Sequence, residues 1–246
     1  MPSQAPANGP TAAPAVVRFE GPPIAMNALV GVPGNQRQAI TVEVALPGMD
    51  SAQPVRALTA PVGQTHTQVR LVLASSTPPG TYDATVHTPD DDIAAVALVQ
   101  ERPYLTLTPS FLRLAVPPGG EADQHLTVYN GGNTPCQIGR AYAFGLFDSA
   151  GLDRAVGAGL QADVRGLDRL ATMADSVADS HGGLVRVTVR EGTGVLDPGQ
   201  ARQLVTALRF SDRLKAGAQY SATWRLYNLR TAVLVDVITP PATPRA

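Results

Sequence analysis

The chain has 246 residues, enough for two domains of ordinary size, and its 44% hydrophobic and 16% charged residues suit a packed core and exclude a disordered polyelectrolyte. Its formal net charge is −1, and its basic residues, all arginine except Lys215, are scattered without the basic block that a nucleic-acid surface needs. Cys136 is the only cysteine, which excludes an intrachain disulfide and a cysteine-based metal site, and no run of about 18 apolar residues is present to span a membrane.

In chain order, residues 1–14 are rich in Pro, Ala and Gly without apolar periodicity and predict a flexible tail, because such a segment buries too little surface to offset its ordering entropy. They lack the basic and apolar regions of a secretory leader; a native start at Met1 implies the cytoplasm, and a leader already removed implies the periplasm or cell surface. Over 15–102 seven short runs follow: VVRFE, NALVGV, QAITVEVAL, PVRALTAP, TQVRLVLA, TYDATVH and IAAVALVQ. TVEV and QVRLVL alternate with period two, as half-buried strands do, and Pro33-Gly34, Pro47-Gly48 and Pro78-Pro79-Gly80 break the runs at β-sandwich spacing. A boundary is expected at Glu101-Arg102-Pro103, since proline biases the residue before it toward extended backbone.

A second sandwich is expected over 103–240, in YLTLTPS, FLRLAV, QHLTVYN, AYAFGLF, LVRVTVRE, RQLVTALRF, YSATWRLYN and TAVLVDVIT, followed by a short tail over 241–246. Between AYAFGLF and LVRVTVRE the texture changes. Leu160, Val164, Leu167, Leu170, Ala174 and Val177 recur at steps of three and four, which predicts an amphipathic helix over Leu160 to Ser180 with its apolar stripe lying on the sheets or on a partner.

Two stretches nearly repeat: GTYDATVH from Gly80 and GAQYSATW from Gly217, each leading into an apolar segment. They are read as the penultimate strands of two similar domains. LTLTPSFLRLAVPPGGEADQHLTVYNGGNTP, with GVLDPGQARQLVTALRF and YSATWRLYN, resembles bacterial immunoglobulin-like domains, in particular the first domain of periplasmic pilus chaperones, over about 100 residues. The expected fold class is therefore all-β, two tandem immunoglobulin-like β-sandwich domains, the second with an inserted α-helix. The resemblance implies that Tyr82 and Tyr220 fix the corner before the penultimate strand. It also implies a client-binding last strand, with Arg113 and Arg230 as charge anchors and Val233, Val235 and Val237 as one apolar face. In pilus chaperones this domain comes first; here it is second.

Catalytic groupings are missing. His66, His87, His125 and His181 show no metal-ligand spacing, and no nucleophile elbow or phosphate loop is present. Asp90-Asp91-Asp92 follows Thr88-Pro89 between two strands and is read as a solvated turn instead of a calcium site, Trp224 as core instead of a sugar platform, and Cys136 as a small buried hydrophobe. No enzyme activity, cofactor or metal is expected. The expected function is a structural or interaction module in a bacterial multi-protein assembly, with protein partners or self-assembly. The alternatives are a chaperone-like protein acting by strand addition and a carbohydrate-binding or hydrolase accessory module.

Overall fold

The computed structural model describes residues 16–31, 40–148, 153, 156–157, 160–161 and 165–239, and the chain divides into two compact units, Met1–Arg102 and Pro103–Ala246. The terminal segments 1–14 and 241–246, the Pro33-Gly34 breaker and Val164 lie outside the described residues.

The described residues of the first unit form β1 (Val17–Gly21), β2 (Met26–Val30), β3 (Thr41–Val44), β4 (Gln53–Val62), β5 (His66–Val72), β6 (Gly80–His87) and β7 (Asp92–Val99). Each corresponds to one of the seven runs read above. Alternation sends Val42 and Val44, Val69 and Leu71, and Ala84 and Val86 into one core with Phe19 and Met26. The strands close in the order β1-β2-β5-β4-β3-β6-β7. Closure rests on two strands that serve both faces: β4 pairs β3 with its first residues and β5 with the rest, while β1 touches β2 and runs parallel to β7.

The second unit repeats that order on a larger scale. Its strands are β8 (Leu105–Thr108), β9 (Phe111–Val116), β10 (Glu121–Asn130), β11 (Cys136–Ile138), β12 (Ala141–Asp148), β13 (His181–Glu191), β14 (Gly194–Leu196), β15 (Ala201–Arg209), β16 (Gln219–Leu226) and β17 (Leu229–Val237). Eight of them form one wrapped sheet, β8-β10-β15-β13-β12-β16-β17-β9. With β8 and β9 taken as one interrupted strand, this is the order of the first unit. In both units the first strand runs parallel to the last, β1 with β7 and β9 with β17. Both units are immunoglobulin-like β-sandwiches.

The near-repeat now has a structural meaning, because GTYDATVH is β6 and the Tyr220 stretch is β16, each antiparallel to the final strand. The Tyr82 hydroxyl donates to the Pro78 carbonyl at 2.8 Å. In the second unit the Tyr220 hydroxyl accepts from the Lys215 N–H at 3.3 Å, and the ring is buried. Both tyrosines therefore tie the start of the penultimate strand to the loop before it, with donor and acceptor reversed.

Turn chemistry supplies the remaining connections. Asn130 is fully buried, and its amide donates to the carbonyls of Thr134 (2.9 Å) and Leu196 (3.0 Å) while its oxygen accepts from Gly132 N–H. A buried amide satisfied this way escapes the cost of orphaned polar groups. The ladder of β11 with β14 was not read from sequence, because three residues are too few to show a period. Cys136 is buried on β11, and burial pushes its thiol pKa up.

Of the two surfaces expected to cover the helical stripe, the sandwich or a partner, the sandwich is not the one for the described residues. The helix α1 spans Leu167–Asp179 in the β12–β13 connection, but its apolar stripe does not pack on the sandwich: Leu167 and Leu170 are 81% and 61% exposed, and Leu160 before it is 66% exposed. The connected strands are already neighbours in the sheet, and none of the helix side chains that are described is buried. No helix among the described residues is long and apolar enough to cross a membrane.

Candidate functional site

The residues singled out in the last strand are placed differently from expectation. Val233, Val235 and Val237 point into the core of the second unit at 1%, 0% and 3% exposure. Their strand, β17, is paired on both sides, antiparallel to β16 and parallel to β9. Both of its edges are thus taken within the second unit, which leaves no ladder position on β17 for an added strand. The structural reason is the switch of the first strand, which carries Phe111–Val116 across to the last one. A free ladder edge lies elsewhere: β10 pairs β15 along its length but β8 only through Thr127–Asn130, which leaves Glu121–Leu126 with one partner.

Arg113 and Arg230 do not form one anchor. Arg113 is exposed on β9, and its Nε donates to Asp236 Oδ2 at 2.8 Å, while Gln219 donates to the other carboxylate oxygen at 2.7 Å. The hydrogen bonds from Arg113 and then Gln219 hold the Asp236 carboxyl below the usual carboxylate range, and the same bond to Asp236 raises the Arg113 pKa. Arg230 is exposed near the β16–β17 turn, opposite Arg225. Arg113 stands level with Leu234, so four strand residues, roughly 13 Å, separate the two arginines.

The other candidates behave as structural residues. Trp224 is buried, stacked on Phe144 with ring centroids 6.3 Å apart and edge-on to Tyr142 at 6.0 Å. Asp90-Asp91-Asp92 caps the β6–β7 hairpin: Thr88 N–H donates to the Asp91 carbonyl at 3.0 Å, and Asp91 N–H donates to Thr88 Oγ1 at 3.0 Å. His87 Nδ1 lies 2.7 Å from Asp92 Oδ1, and the hydrogen bond with Asp92 raises its pKa. Among the described residues no group of three or more His, Cys, Asp or Glu is placed to hold a metal ion.

A different region brings unlike pieces of chain together. Alternation on β13 turns Val185, Val187 and Val189 inward and Leu184, Arg186, Thr188 and Arg190 outward. Register sets Arg186 directly beside Arg209 of β15, and on its other side Arg209 faces Glu121 of β10. Like charges opposed across a ladder destabilise it unless something offsets them. Glu121 does not supply that offset alone, because Arg190 reaches over to bind both Glu121 and Asp123 (3.0 Å to Asp123 Oδ2). Beyond Arg209 the loop carrying Ser211, Asp212 and Arg213 folds over the strand ends.

Two glycines let that loop close. Gly183 has φ +92°, and a Cβ on it would fall 2.6 Å from Ser211, while a Cβ on Gly119 (φ +70°) would fall 2.0 Å from Asp212 Oδ1. Gly119 N–H donates to the Ser211 carbonyl at 3.1 Å, and Arg213 N–H donates to Ser211 Oγ at 3.1 Å. The result is an open concavity of about 590 Å³, lined by His181, Arg186, Arg209, Ser211, Asp212 and Arg213 among others. Among the described residues the guanidinium groups of Arg186, Arg209 and Arg213 make no ion pair, and Asp212 is the one carboxylate on the wall. Three cations against one anion favour a negatively charged occupant. The sequence reading missed this site, since Arg186 lies more than twenty positions before Arg209 and Arg213, although the outward arginines of RVTVR were a local signal.

No protein-family profile matches the chain. No curated protein matches it. Among solved structures, similar chains include a protein of unknown function from Porphyromonas gingivalis W83 (13% identity, 92% of this chain and 98% of that one, TM-score 0.26). Domains 4 and 5 of the S-layer protein SbsC match at 15% identity over 87% and 82%, TM-score 0.27. A titin tandem of Ig domains matches at 12% identity over 91% and 93%, TM-score 0.23. Likeness at that level says nothing of function.

Proposed function

We propose that the protein is a non-catalytic interaction module, two immunoglobulin-like sandwiches of which the second binds an acidic group of a protein partner in its arginine-lined concavity. The observation that carries this reading is the set of three guanidinium groups, Arg186, Arg209 and Arg213, held around one concavity without ion pairs among the described residues. Arginine's planar fork binds carboxylates through two parallel hydrogen bonds, so such a wall gives orientation as well as charge. The surrounding frame is rigid, with the loop pinned by backbone bonds to the strand ends, which lowers the ordering cost of binding.

The test is calorimetric titration of the full chain with an oligo-glutamate peptide, with the matching oligo-glutamine peptide as control. The acidic peptide should bind at low salt and weaken as salt rises, and Arg186→Glu with Arg209→Glu should abolish binding while circular dichroism stays unchanged. Equal binding of both peptides, or no effect of the double substitution, overturns the reading.

A second reading, strand addition to a client, is favoured by the open edge of β10 at Glu121–Leu126. That edge carries the exposed charges Glu121 and Asp123, a common guard against edge pairing, which sets this reading below the first. A part in a larger assembly is consistent with either.

A further inference from the structure

We infer that the acidic group taken by the concavity is the Thr88–Asp92 turn of a second copy of this chain, so that copies join head to tail. This rests on the reading of the concavity as a site for acidic groups.

The charges are complementary, three arginines against the exposed Asp90 and Asp91, with Asp92 beside them exposed but bonded to His87. The turn is also built in advance. Thr88 bonds Asp91 through both main chain and hydroxyl, Asp91 Oδ1 accepts Asp92 N–H, and Asp92 holds His87, so the turn that presents Asp90 and the other oxygen of Asp91 to solvent has little backbone freedom to lose. A concavity of about 590 Å³ is within the range that encloses a compact group such as a turn tip.

The placement of each element within its own unit suits an intermolecular contact. In the first unit β7 runs from Asp92 to Val99 toward Arg102, so the acidic turn lies at the end of that unit remote from the junction. In the second unit β8 and β9 lead away from Pro103 and end at Val116, so the Gly119 rim of the concavity lies at the end remote from the same junction. Each copy thus carries one acidic tip and one basic socket on different units. A heterologous contact of this kind propagates into open chains or closes into rings. A contact of one turn buries less surface than a stable interface of standard size, so the association is expected to be weak and salt-sensitive.

The experiment is sedimentation velocity of the full chain over a concentration series, at low salt and at about 1 M salt, where charges are screened beyond about 3 Å. Mass should rise with concentration at low salt and return to the monomer at high salt. Two charge-reversed proteins decide the contact: Asp90→Lys with Asp91→Lys, and Arg186→Glu with Arg209→Glu. Each alone sets like charges together and should associate at least about tenfold more weakly than the natural chain. Their mixture pairs lysine tips with glutamate sockets and aspartate tips with arginine sockets, and should regain association. A natural chain that stays monomeric at every concentration, or a mixture that stays as weak as its components, overturns the inference. If oligo-glutamate still binds in an Arg186- and Arg209-dependent way, the second copy falls as occupant while the acidic-group reading stands; if it does not bind, both fall together.

Discussion

Val235 decides between two accounts of the last strand, an internal strand of the second sandwich or an element offered to a partner. Its side chain is fully buried, next to Val233 and Val237 and among the leucines of β9 and β10. Val235→Ala removes two methyl carbons; at about 0.8 kcal/mol each, with a further cavity penalty, the loss comes to roughly 2 kcal/mol. Val235→Lys is a harsher change. It places an ammonium group with no carboxylate among the buried residues around it, a cost of several kcal/mol against a total stability of about 5–15 kcal/mol, so the second unit should unfold. Ala232→Lys, three positions earlier on the exposed face of the same strand, should change stability by no more than about 0.5 kcal/mol. Urea unfolding followed by tryptophan fluorescence measures this without interference from the first unit, because Trp224 is the only tryptophan and lies in the core of the second. If Val235→Lys folds with the natural midpoint, the strand is not internal and strand addition through β17 returns.

Tyr82→Phe deletes the bond to the Pro78 carbonyl and should lower the stability of the first unit by about 1 kcal/mol in a circular-dichroism melt, while the tryptophan transition of the second unit stays in place. Leu167→Ala should leave the tryptophan transition within about 0.5 kcal/mol of the natural chain, since the side chain it shortens is exposed; a loss of 2 kcal/mol or more would place the helix against the sandwich. Asp236 has a folded pKa below its unfolded one, so its contribution is present above the ordinary carboxylate value near 4 and is lost as pH falls through the lowered value. Asp236→Asn should therefore flatten the acid limb of the stability profile of the second unit, and an unchanged limb would show that the Arg113 pair contributes nothing.

Much of the fold was legible because strands and turns are local. Short apolar or alternating runs marked seven strands of the first unit and eight of the second, proline and glycine marked the breaks between them, and Tyr82 and Tyr220 were found by their place before the penultimate strand. The step-of-three-and-four spacing likewise found a helix at Leu167–Asp179, since helical period needs only a dozen neighbouring residues to show itself. What lay beyond reach was which strand lies beside which. Whether β17 is an edge depends on β9, more than a hundred positions earlier in the chain, and only that pairing turned Val233, Val235 and Val237 from a surface into a core. The same holds for the concavity: Arg186 lies on β13, apart from Arg209 and Arg213 at and just beyond the end of β15, and the three become one charged wall only through the β13–β15 register and the room left by Gly119 and Gly183. Amphipathicity marks a helix's apolar side but does not specify the surface that covers it, and only the tertiary structure removed the sandwich from the two surfaces expected for α1. Local sequence carries the period of an element; its neighbours are chosen by the free energy of closing the whole sandwich, which no single segment contains.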